Sequence, residues 1–227
     1  MLDFVATVVL IAVTTVNLNA FISTAPVSRV TRLGLAIAVG LWIGLATALS
    51  SVGALDDAGR RAFPLIGVMV LFPVVVAGVI ALVSPAARKA MLGVPLPLLI
   101  GLNFSRVLGF FFLLLAAEGR LAGPFPYSAG IGDIITGLLA IPVAIAVARG
   151  GTSNSLLHWN IFGVLDFVLA IFFGVTSTNG SNLQLFHYGV GSGAITHLPW
   201  SLIPTVLVPF YLIAHGIIFA HWRRAKN

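Results

Sequence analysis

The sequence predicts an all-α polytopic transmembrane bundle of about seven helices, in a single domain over residues 1–227. Three observations predict it. Apolar residues make up 59% of the chain and charged residues only 8%. A soluble domain carries about 25% charged residues, so lipid is the solvent expected for most of the surface. The apolar runs are also long and unbroken, as over 62–83, where a membrane β-barrel would alternate in short segments. Finally, each run supplies about 20 residues, which at about 1.5 Å of rise per residue crosses a hydrocarbon core of about 30 Å.

The predicted spans are 2–22, 33–52, 62–83, 95–117, 129–148, 155–175 and 199–221. The first follows Met1-Leu2-Asp3, which lacks the positive region of a signal peptide, so a retained helix is expected. The second carries Gly40 and Gly44 as a GxxxG pair, which suits close packing within the chain or a homo-oligomer. Pro73 and Pro142 read as packing kinks in the third and fifth spans. Pro124 and Pro126 should end any helix between the fourth and fifth. The connection 176–198 is rich in Gly, Ser and Asn, and suits a lid, a short interfacial helix or a loose loop. Pro199 is expected to open the seventh span, with Pro204 and Pro209 kinking it and freeing carbonyls toward Arg106 or a ligand. A six-helix arrangement, with the weakest helix lying at the interface, is the alternative. No internal repeat is visible, which argues against an inverted-repeat transporter.

Orientation follows from the basic residues. Arg29, Arg32, Arg88, Lys89, Arg149, Arg223, Arg224 and Lys226 fall on one side of the predicted spans, and Arg60, Arg61 and Arg120 on the other. The richer side is expected to face the cytoplasm, giving an N-out/C-in protein of the inner (plasma) membrane. The net charge of +6 is scattered in pairs between apolar runs. It points to lipid headgroups as partners rather than nucleic acid.

Arg106 carries the most information. It sits near the middle of the fourth apolar run and cannot lose its proton. At bilayer depth that costs about 2.5–3.5 kcal/mol on insertion scales, so other spans must supply partners. Asp166 lies at a similar depth on the sixth span, whereas Asp133, near the outer end of the fifth, has further to reach. Asn103 shares a face with Arg106 at i, i+3, Trp159, Gly163 and Asp166 share another at i, i+4, i+7, and Tyr211 and His215 are i, i+4. Asn160 points about 120° away from Asp166 at 3.6 residues per turn. The candidate ligand-binding set is therefore Arg106, Asp166, Asp133, Asn103, Trp159, Asn160, Tyr211 and His215. Asn17, Asn19, Asn103, Asn160 and His215 would line an inward-facing polar cavity, or else simply join helices by hydrogen bonds.

Other chemistries lack their residues. With no cysteine there is no disulfide, thiolate catalysis or Cys-held metal. The two matched His pairs usual for a membrane haem are absent, His215 and His158 differing in depth, and no HExxH motif or acid-rich cluster suggests a metal. A retinal Schiff base would need a lysine deep in a helix, and Lys89 and Lys226 lie outside the spans. No P-loop or GxSxG is present. No cofactor is expected and nothing singles out an enzyme.

Arg106 with the Leu/Phe run to Leu115, the Gly132-Asp133 step, Trp159-Asn160 with Gly163, and Leu198-Pro199 leading to Pro204, Pro209 and His215 form an ordered series. In that order they resemble a family of uncharacterised bacterial seven-helix integral membrane proteins, over about residues 100–221. The resemblance implies a bacterial inner-membrane location and no activity. The function expected from the residues is binding or transport of a small polar or anionic molecule at a buried Arg–Asp centre. A membrane-embedded enzyme or redox (haem) protein and a structural or accessory subunit are the alternatives.

Overall fold

The computed structural model describes residues 1–56, 64–151 and 154–226, and there it is helical with no strand. Among the described residues, seven helices are long and apolar enough to cross a membrane. Arg60, Arg61, Asp57 and the predicted start of the third span lie outside the described residues.

Helix α1 covers Leu2–Thr24 and α2 Arg29–Ser51. On α1 the buried residues Ala6, Leu10, Thr14 and Asn17 fall at intervals of four, four and three, which is one helix face. Hydropathy places the start of α2 at 33, but the Ser28 hydroxyl accepts from the Thr31 amide (3.1 Å) and begins the helix earlier. Arg29 and Arg32 therefore lie in its first turn. Gly40 and Gly44 are exposed, and a Cβ on either would meet nothing within 4 Å. Neither packs closely against another described residue.

Helix α3 runs Leu65–Val83. A short helix α4, Pro85–Met91, follows where a bare connection is expected. Ser84 caps it and Pro85 opens it, a start signal independent of hydropathy.

The fourth span is not one α-helix. It divides into α5 (Leu96–Leu102), a 3-10 segment (Asn103–Gly109) and α6 (Phe110–Ala117). The fifth, α7, is Phe125–Ala148 and packs most closely on that 3-10 segment. The fit depends on small residues. A Cβ on Gly137 would lie 2.7 Å from the Val107 nitrogen, and one on Gly130 2.9 Å from the Gly109 carbonyl oxygen. The prolines expected to end any helix near 124–126 instead start α7. Pro124 is its N-cap and Pro126 sits in the first turn, where no amide partner is needed.

Helix α8 is Asn154–Thr176. The connection after it contains one 3-10 turn, Gly193–Thr196. The last span opens with a π segment, Ile203–Leu207, and continues as α9, Val208–Lys226. Pro199 does not open it. The Leu198–Pro199 peptide is cis and lies before the helix. Pro209 offers no amide to the Thr205 carbonyl four residues before it, and that carbonyl goes to a partner other than Arg106. Trp42 Nε1 donates to the Thr205 carbonyl (2.8 Å). Trp42→Phe should strand that carbonyl and cost about 1–3 kcal/mol. Thermal unfolding in detergent checks this, and an unchanged midpoint would count against it.

The interior is filled by Leu10, Phe111, Leu115, Trp200 and Phe210 toward one end, and by Leu99, Ile100, Leu156, Ala214 and Ile218 toward the other. The outward faces show Phe72, Val75, Leu138, Leu165 and Val168.

Charge is segregated by end. The helix termini carrying Arg29, Arg32, Arg88, Lys89, Arg149, Arg223 and Arg224 lie at one end, and no described acid accompanies them. Asp3, Asp56 and Glu118 lie at the other. There Arg120 donates to Asp3 (2.7 Å), a bond that pushes the guanidinium pKa further up, and Trp200 Nε1 donates to the same oxygen (3.0 Å).

Candidate functional site

Arg106 lies in the 3-10 segment and is 2% exposed. Its Nε donates to Asp133 Oδ1 on α7 (2.7 Å) and its NH2 to Asp166 Oδ2 on α8 (2.6 Å). NH1 donates to the Gly163 carbonyl (3.3 Å) and meets His215 Nε2 on α9 at 3.0 Å. One guanidinium thus ties the last four spans together. Its plane also lies over the Phe167 ring, 3.8 Å from the centroid. Such a contact is worth about 2 kcal/mol or more when desolvated.

The sequence leaves the acid partner open, and the structure uses both. Because α7 starts at Phe125 rather than 129, Asp133 sits more than two turns inside the helix. Gly132 lets the Asp166 carboxylate lie against α7, since a Cβ there would collide with it. Gly163 does the same for the His215 ring, with a Cβ placed 2.6 Å from Cε1.

The hydrogen-bond chain fixes the imidazole. An arginine nitrogen only donates, so His215 Nε2 accepts and the ring proton sits on Nδ1. Nδ1 then donates to Asn160 Oδ1 (2.7 Å), while Asn160 Nδ2 returns a bond to the His215 carbonyl (3.2 Å). Both ring nitrogens are engaged, so His215 offers none to a haem iron in this arrangement. His158 is exposed. Trp159 packs on the His215 ring (5.3 Å between centroids) and donates from Nε1 to the Thr136 carbonyl (3.0 Å).

Tyr211 joins indirectly. Its hydroxyl bonds Ser105 Oγ (2.7 Å) and accepts from Asn17 Nδ2 (3.2 Å), and its ring stacks on Phe167. Asn103 is not brought to Arg106 by any hydrogen bond. It is fully buried, donates to the Leu99 carbonyl (2.9 Å), and its Oδ1 has no partner among the described residues. Asn19 is exposed. Asn17 and Asn160 act as links between helices: Asn17 donates to Ser105 and Tyr211, and Asn160 to the His215 carbonyl.

Sequence reasoning missed Phe167, Ser105 and the Gly163 carbonyl as contacts. Phe167 is four residues past Gly163, on the face already assigned to Asp166, and that spacing is a usable signal. Ser105 has none, because helical spacing does not pair it with Tyr211.

Two spaces adjoin the centre. One, about 70 Å³, lies between α3 and α8 and is lined by Ile66, Val70, Phe112, Ala170, Thr178 and Thr196, with Asp133 as its charged residue. The other, about 20 Å³, is bounded by Ser105, Arg106, Asp133 and Tyr211. That is enough for one water with several polar partners. Asp133 Oδ1 holds Arg106, and its second oxygen accepts no hydrogen bond from the described residues. The centre contains one fixed cation and two carboxylates, so with both ionised it carries one net negative charge.

No curated protein and no solved structure matches the chain. A family model does, over residues 63–223, which takes in Arg106, Asp133, Asn160, Asp166 and His215 and leaves out α1 and α2. The chain belongs to the family described as Domain of unknown function (DUF8737).

Proposed function

We propose that the chain is a multi-pass, N-out/C-in protein of the inner membrane that binds or carries a small polar molecule at the Arg106–Asp133–Asp166 centre. The single observation behind this is Asp133, a carboxylate that holds Arg106 with one oxygen while lining a cavity between α3 and α8. The charge balance favours a proton or an ammonium-sized cation over an anion, because Arg106 is already matched by two carboxylates. The cavity suits a head group rather than a drug-sized ligand, which needs about 300 Å³ or more. Charge segregation between the two ends supports the orientation. The exposed Gly40/Gly44 face of α2 suits a second copy of the chain.

The test compares butylammonium with butyrate as additives in thermal unfolding of the purified protein. Butylammonium is expected to raise the midpoint of the native chain, butyrate is not, and Asp133→Asn should lose the response. Equal shifts from both additives, or an unchanged response in Asp133→Asn, would sink the reading. One observation favours a purely structural centre in an accessory subunit, namely that four of the five N–H donors of Arg106 are engaged by its neighbours. That reading predicts no shift from either additive.

A further inference from the structure

A larger space lies away from the charge centre. It is a groove of about 420 Å³ between α3, α4 and α9. Its walls hold Ala77, Gly78 and Ala81 on α3 and Gly216 and Ala220 on α9. Small residues at helical spacing normally draw two helices together. Here they leave a space, and a Cβ on Gly78 or Gly216 would meet nothing within 4 Å. Gly78, Leu82 and Gly216 on its walls are exposed, so the groove opens outward to whatever medium surrounds the bundle.

Its end is basic. Arg88 of α4 lines the groove and is exposed. Lys89 adjoins it, and no described acid lies at that end of the molecule to neutralise either. The Ser84 cap turns α4 out of the line of α3, which sets Arg88 at the groove's end.

We propose that this groove holds an acyl chain of an anionic phospholipid whose phosphate is bound by Arg88. The inference rests on the membrane assignment above and not on a ligand at Asp133. Apolar small-residue walls accept a hydrocarbon chain, and the unopposed cations select the charge of the head group. A juxtamembrane basic residue is worth about fivefold in affinity for an anionic surface.

Native mass spectrometry after equilibration with vesicles of phosphatidylcholine and phosphatidylglycerol tests it. Phosphatidylglycerol should be retained over phosphatidylcholine. Arg88→Gln should reduce that preference about fivefold. Gly216→Leu, which has open space to fill, should expel lipid of either kind. Equal retention of the two lipids, no change in Arg88→Gln, or full retention in Gly216→Leu would each overturn the proposal. So would displacement of the lipid by inorganic phosphate alone, or a dimer that Gly216→Leu dissociates. Failure to partition into detergent would instead sink the membrane assignment itself.

Discussion

Arg106→Leu is expected to destabilise the protein by about 3–5 kcal/mol, the cost of removing one partner from a buried ion pair. A folded domain has only about 5–15 kcal/mol in total, so much of the variant should be unfolded or degraded. The reason is what remains. Asp133 and Asp166 lose the cation between them, while the Gly163 carbonyl and His215 Nε2 lose their donor. Loss of ligand binding in that variant alone would therefore say little. Arg106→Leu combined with Asp133→Asn and Asp166→Asn removes the stranded charges and should recover part of the stability. The midpoint of thermal unfolding in detergent reads both. An Arg106→Leu midpoint matching the native one would refute a sheltered charge centre.

Gly163→Ala is expected to destabilise the protein as well. The added methyl would sit 2.6 and 2.8 Å from His215 Cε1 and Nε2, and 3.0 Å from Arg106 NH1. None of these can yield cheaply, because Asn160 and Arg106 pin the ring from both sides and two carboxylates pin the guanidinium. Overpacking of this kind costs about 1–3 kcal/mol. Replacing a helical glycine by alanine gains only about 0.5–1 kcal/mol, so the clash decides the sign. Gly216→Ala on α9 is the control, having open space around it, and should be neutral or stabilising. If both variants shift the midpoint equally, the close packing at Gly163 is not what positions His215.

The architecture was readable because hydropathy and length act over whole spans, and the seven apolar runs needed no tertiary information. Arg106 was readable for a related reason: a permanent charge in an apolar run demands partners wherever it lies. The choice between Asp133 and Asp166 was not, because depth was counted from a helix start misplaced by the two prolines. Proline restricts the first turn of a helix hardly at all, and at 124–126 that exception governed. The break at Asn103–Gly109 left no mark in hydropathy either: at three residues per turn it buries Asn103, Arg106 and Gly109, none of which an apolar-periodicity count registers. Spacing alone puts Asn103 on the face of Arg106, while its amide is bound to the Leu99 carbonyl one turn back. The lipid groove was invisible because Ala77, Gly78 and Gly216 predict contact, and only their three-dimensional placement shows a gap.

The partners of Arg106 all come later in the chain, and this imposes an order on biosynthesis. Asp133 is made 27 residues after it, Asp166 60 and His215 109. At about 5–20 residues per second, the guanidinium waits about 1–5 s for its first carboxylate and roughly 5–20 s for the imidazole. During that interval the nascent span carries an uncompensated cation, and the insertion machinery has to hold it near water until α7 and α8 arrive. A ribosome stalled before residue 133 should leave that span exposed to the aqueous channel, and one stalled far enough past 176 for α8 to have cleared the ribosome should release it to lipid.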